Sequence, residues 1–206
     1  MKKTSLVNTI RTIVFVIFIF LLYKFTLQVC VVNGSSMNNT LNNNQMLVQS
    51  KLKNATYGDI VSIYSDTLDE LLCKRVIAMH GDKVIIKGKD VYINDKLLYE
   101  PYAYYDYEPN TEYSFIVDEG CVFVMGDNRN HSTDSRYLGS ISMKNIRSVY
   151  MFNLSDILHA DYNTIQTTLK IIWVILFVVW IITNIKFKNK VENKEDEQIE
   201  INIESK

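Results

Sequence analysis

Two long apolar runs lie toward the ends of the chain, and between them short apolar pieces alternate with turn residues. Thr12 to Leu22 reads Thr-Ile-Val-Phe-Val-Ile-Phe-Ile-Phe-Leu-Leu, and after Tyr23-Lys24 the run continues Phe-Thr-Leu-Gln-Val-Cys-Val-Val. Counted through Lys24, this is long enough to span a bilayer. The Lys24 stem can carry its ammonium to the headgroups, so one charge does not veto the span. A second run, Leu169 to Ile185, holds Trp173 and Trp180 and predicts a second, shorter span. The predicted layout is a basic amino terminus (1–11), a transmembrane anchor (12–30), an outward-facing domain (31–153), a connector (154–168), a second transmembrane helix (169–186) and a charged tail (187–206).

Within the central stretch, Met46-Leu47-Val48, Asp59 to Tyr64, Lys83 to Ile86 and Asp90 to Ile93 read as strands. Turns are predicted at Tyr57-Gly58-Asp59, His80-Gly81-Asp82, Lys87-Gly88-Lys89 and Asn94-Asp95. This rhythm predicts a mainly β domain rather than alternating strands and helices. Tyr99 to Tyr113, crowded with tyrosine and broken by Pro101 and Pro109, predicts a surface excursion that packs an aromatic face on the domain. The tail from Lys190 has too little apolar content to fold alone and is expected to be solvated.

Composition narrows the class. The 206 residues are 48% hydrophobic with a formal net charge of -1, which excludes disorder and bulk nucleic-acid binding. Lys2, Lys3 and Arg11 precede the first apolar run and Lys186, Lys188 and Lys190 follow the second. By the positive-inside tendency both termini face the cytoplasm and the middle faces outward. A cleaved signal peptide is the competing assignment for the first run, but no Ala-x-Ala-like site follows it. A buried core helix is the competing assignment for the second. Cys30, Cys73 and Cys121 cannot all pair within one chain and match no zinc spacing. Buried thiols are the default, with a Cys73–Cys121 bridge left open.

Two residues then suggest chemistry: Ser36, in Gly34-Ser35-Ser36-Met37-Asn38-Asn39-Thr40-Leu41, and Lys74, in Cys73-Lys74-Arg75-Val76-Ile77-Ala78-Met79-His80-Gly81-Asp82. A serine used for acyl transfer needs a nearby group to take its proton, and a deprotonated lysine can replace histidine there. Alone, Ser36 would be a loop serine, Lys74-Arg75 an exposed basic pair, and Asp134 with Arg136 a surface ion pair.

Three segments in order resemble one family, the bacterial type I signal peptidases. Gly34-Ser35-Ser36-Met37 with Thr40-Leu41 looks like its Gly-x-Ser-Met-x-Pro-Thr-Leu, and Lys74-Arg75-Val76-Ile77 closing on Gly81-Asp82 is similar to its Lys-Arg-Val-x-Gly-x-Pro-Gly-Asp. Gly126-Asp127-Asn128-Arg129-Asn130-His131-Ser132-Thr133-Asp134-Ser135-Arg136-Tyr137-Leu138-Gly139 looks like Gly-Asp-Asn-Arg-x-x-Ser-x-Asp-Ser-Arg-x-x-Gly. The resemblance implies a signal-peptidase-like β catalytic domain on a membrane anchor. It makes Ser36 the nucleophile and Lys74 the general base, with Ser132 orienting the lysine and Asp134 and Arg136 bracing the site. The Ser36 backbone N–H serves the oxyanion hole, where Gly34 gives the backbone room. Substrates would be exported preproteins with small residues at −1 and −3, laid along strand edges at Val32, Asn33, Leu72 and Cys73. Membrane lipid and a nearby secretion translocon are the implied surroundings. No cofactor and no nucleic acid are implied.

For Lys74 to act as a base its pKa must fall far below about 10.4, and burial among Leu71, Leu72, Cys73, Val76 and Ile77 would lower it. Three positions depart from the family pattern: Asn39 replaces proline, and Ala78 and His80 replace glycine and proline, which is expected to loosen loop geometry. A Ser-His-Asp reading of His80, His131 or His159 is disfavoured, because in histidine-using relatives the histidine takes the place of Lys74. The alternatives are a non-catalytic module of the same fold assisting pilus or surface-protein assembly, and a self-cleaving repressor-type protease.

Overall fold

The computed structural model describes residues 2–204, with side chains for residues 10–183. Two compact units divide it, residues 1–161 and 162–206.

The first unit opens with helix α1, Lys2–Thr26, and passes without a linker into strand β1, Leu27–Val31. Residues 27–30, placed in the anchor on apolar continuity, are therefore strand. The cause is a partner distant in sequence: β1 pairs antiparallel with β2, Met46–Ser50, from Leu27 opposite Ser50 to Val31 opposite Met46. Backbone groups that a helix would have satisfied internally are satisfied there by the ladder.

Strands β3 (Ile60–Ser65), β4 (Glu70–Met79), β9 (Cys121–Met125), β10 (Ile141–Ser142) and β11 (Ile146–Asn153) complete a seven-stranded sheet ordered β1-β2-β11-β3-β4-β9-β10. A second sheet is ordered β7-β6-β5-β8, built from β5 (Lys83–Lys87), β6 (Asp90–Ile93), β7 (Lys96–Leu97) and β8 (Glu112–Ile116). Mainly β is the architecture, and each predicted strand lies in a sheet.

Apolar residues from alternate strand positions fill the interior. Val61, Ile63, Val76, Val122, Val124 and Val149 form one core, and Val84, Ile86, Val91, Phe123 and Met125 form another. Met37 and Leu41, both 1% exposed, pack with Val32, Leu47 and Ile60. Burying each stabilises by about 1.5–3 kcal/mol, enough to fix the loop that carries Ser36.

The three departures take definite places. Asn39 has φ of 73°, a value closed to proline and tolerated by asparagine. Ala78 is not in a loop; it is fully buried in β4, opposite Phe123 beside a bulge. His80 is exposed in the following turn. All three cysteines are free. Met79 of β4 faces Val122 of β9 and Arg75 faces Met125, so Cys73 and Cys121 lie beyond opposite ends of that pairing. A gap of about 20 Å rules out a bridge between them.

The second unit is helix α2, Tyr162–Glu204, which includes the charged segment expected to be unable to fold alone. Once an apolar helix has nucleated, Glu-, Lys- and Gln-rich sequence propagates it at little cost. Its portion Tyr162–Thr183 has a mean hydropathy of 2.2, no burial, and length sufficient to cross a membrane.

Candidate active site

Ser36 follows the end of β1 in a short turn pinned by Met37. Gly34 has φ of 101°, a conformation that glycine adopts without penalty, and its N–H donates to Asn43 Oδ1 at 2.9 Å. Asn128 N–H donates to the Ser36 carbonyl at 3.0 Å, which fixes the peptide from the far side. The Ser36 N–H has no hydrogen-bond acceptor among the described residues.

Strand alternation places Lys74 on the inner face of β4 with Leu72 and Val76. It is 3% exposed, and its Nζ donates to Ser36 Oγ at 2.7 Å. Burial pushes its pKa down, while the charge of Asp134 pushes the other way. Burial also drives the neighbouring Cys73 thiol up to about 12, so that side chain stays uncharged beside the lysine.

Asp134 is the hub of the surrounding network. Its fully buried carboxylate receives Arg136 Nε at 2.8 Å, Arg136 Nη2 at 2.9 Å, Ser132 Oγ at 2.7 Å and the Gly126 N–H at 2.9 Å. Arg136 also donates to the carbonyl of Arg129 at 2.7 Å, closing the loop on itself. The Ser132 hydroxyl thus bonds to Asp134, and among the described residues it makes no hydrogen bond to Lys74.

Several further residues shape the site through partners that the motifs alone do not give. A Cβ on Gly126 would lie 2.3 Å from Ser132 Oγ and 2.5 Å from the Ser36 carbonyl oxygen, so only glycine fits between them. Asp127 is fully buried; it accepts Arg75 Nε at 2.8 Å and Nη2 at 2.6 Å, and Thr40 Oγ1 at 2.5 Å. Arg129, 2% exposed, pairs with Glu100 and donates to Tyr105 Oη at 3.0 Å. The Tyr102 ring lies 4.0 Å from the Arg75 guanidinium. The tyrosine-rich segment is therefore strapped to the site by buried arginines. Arg75 and Arg129 each lie in a quoted motif, and an arginine–carboxylate pair in such a motif was the available signal.

Val32, Asn33, Leu72 and Cys73 line one cleft with Ser36 and Lys74, about 300 Å³ in volume. Two strand edges border it. β1 ends the sheet order, and β9 pairs with β4 only from Arg75 onward, leaving Glu70 to Lys74 unpaired on that side. Of the three histidines only His131 borders the cleft.

The sequence profile of the family described as signal peptidase, peptidase S26, matches residues 6–154. The chain belongs to that family. Among its relatives, signal peptidase I of Bacillus licheniformis is 34% identical over 73% of this chain and 89% of its own length. Signal peptidase IB of a Staphylococcus aureus strain is 29% identical over 79% of this chain and 96% of its own. A solved signal peptidase I from Enterococcus faecalis shares 27% identity over 48% of this chain and 98% of that one, with a TM-score of 0.44. The signal peptidase match takes in the segments holding Ser36, Lys74 and Asp134.

Proposed function

We propose that this chain is a membrane-bound serine endopeptidase that removes signal peptides from exported preproteins through a Ser36–Lys74 dyad. The observation that supports it most is the 2.7 Å approach of a buried lysine amine to a cleft serine hydroxyl. Neutral Lys74 takes the Ser36 proton as Oγ attacks the scissile carbonyl. The oxyanion is stabilised by the free Ser36 N–H, and Gly34 leaves space for its approach. Protonated Lys74 then gives its proton to the leaving amine, an acyl-Ser36 ester remains, and Lys74 activates the water that hydrolyses it.

The substrate lies extended between residues 31–33 and 70–73, adding its backbone to the unpaired edges, with small side chains at −1 and −3. Val32, Asn33, Leu72 and Cys73 limit their size. In this reading the domain faces outward from the cytoplasmic membrane, both termini are cytoplasmic, lipid surrounds the apolar helices, and the translocon delivers substrate nearby. Ser132 and Arg136 fix the Asp134 carboxylate, which holds the Gly126 N–H beside Ser36 and acts on Lys74 through its charge.

The test is cleavage of a preprotein on a gel by the full chain and by Ser36→Ala and Lys74→Ala. Each variant is expected to lose at least about 1,000-fold in rate. Equal processing by all three would leave the non-catalytic module as the better reading.

A further inference from the structure

Beyond Ser35 the cleft adjoins a second cavity of about 430 Å³. Ser35 and His131 border both spaces, whereas none of the strand-edge residues 31–33 or 70–74 reaches the second. Its walls are polar, formed by Asn38, Tyr104, Asp106 and Asn128. The Asp106 carboxylate bonds with His131 Nε2 and with the Tyr104 hydroxyl, and the Asp106 N–H donates to Asn130 Oδ1 at 2.8 Å, which fixes the segment on the rim. Asn128 is 4% exposed. Its Nδ2 donates to the Ser35 carbonyl at 3.0 Å, but its Oδ1 has no hydrogen-bond partner among the described residues.

We infer that this cavity takes the first residues of the released mature chain, with Asp106 favouring a cationic over an anionic side chain there. The inference rests on the reading of Ser36 as nucleophile. A substrate whose signal-peptide side occupies the strand edges and whose scissile carbonyl sits at Ser36 must carry its other side past Ser35 and His131. That path enters the polar cavity. Because Asp106 is exposed on its rim, its charge acts through solvent and the preference is modest.

The test uses three preproteins identical except for lysine, glutamine or glutamate at the second mature residue. With the wild-type chain kcat/KM is expected to favour lysine over glutamate about threefold. Asp106→Asn brings the ratio near unity, and Asp106→Lys inverts it. Each ratio is internal to one enzyme, so the amount of folded protein cancels. Ratios that stay the same in all three enzymes overturn the subsite while leaving the peptidase reading standing. Failure of the wild-type chain to cut any of the three overturns both.

Discussion

Gly126 and Ser36 are so close that a single methyl group on the glycine would come 2.5 Å from the serine's carbonyl oxygen. The same methyl would meet Ser132 Oγ at 2.3 Å, and both neighbours are held by hydrogen bonds of their own, Ser132 Oγ to Asp134 and the Ser36 carbonyl from the Asn128 N–H. Gly126→Ala is expected to shift Ser36 away from Lys74 and to cut kcat by about 100-fold, the cost of a displacement near 1 Å. The measurement is single-turnover cleavage beside a thermal melt. Unaltered kcat would show that the serine peptide is not held from this side.

Lys74 is buried and its pKa is lowered by that burial. Below that pKa, kcat/KM should rise about tenfold per pH unit, then level off before the ordinary lysine range is reached. Stability follows with the same sign. The unfolded lysine titrates near 10.4, so between the two values the unfolded chain binds more protons and stability increases with pH. The contribution is complete above the unfolded value and is lost as pH falls through the folded one. Lys74→Met is therefore expected to melt higher than wild type at pH 7, with the gap closing toward about pH 10. A lower melting temperature for Lys74→Met at pH 7 would contradict a neutral buried amine.

Asp134 affects both stability and titration. Asp134→Asn leaves Arg136, itself largely buried, without its counter-charge, and is expected to cost about 3–5 kcal/mol in a chemical melt. Because the Asp134 charge opposes the lowering of the Lys74 pKa, its removal should also move the rising limb of the pH–rate profile to lower pH. A purely structural role would lower stability without moving that limb.

Strands were legible wherever the pattern was local. Ile60 to Tyr64 and Lys83 to Ile86 show their alternation or apolar run within a few residues, with glycine turns beside them. The start of β1 was not legible, because Leu27 to Val31 continues an apolar helix and only its pairing with Met46 to Ser50 makes it a strand. Ser36 and Lys74 were found through the motifs around them, and the structure brings them together. The close fit of Gly126 was invisible in one dimension, since it depends on chain segments ninety residues apart meeting at one atom. The link from Arg129 to Glu100 was hidden for the same reason: the motif around Asp127-Asn128-Arg129 points to a structural role beside the site, but which partner each charge takes depends on residues distant in sequence.

Thr26 ends α1 and Leu27 begins β1, and Lys51 fastens this joint with its N–H on the Thr26 carbonyl at 2.9 Å and its ammonium on the Lys24 carbonyl at 3.0 Å. In the membrane-anchored reading, such a joint has no slack. On that same reading the attacking hydroxyl is carried at one set height above the lipid, a scissile bond is chosen by its altitude over the bilayer as well as by its side chains, and the anchor works as a caliper.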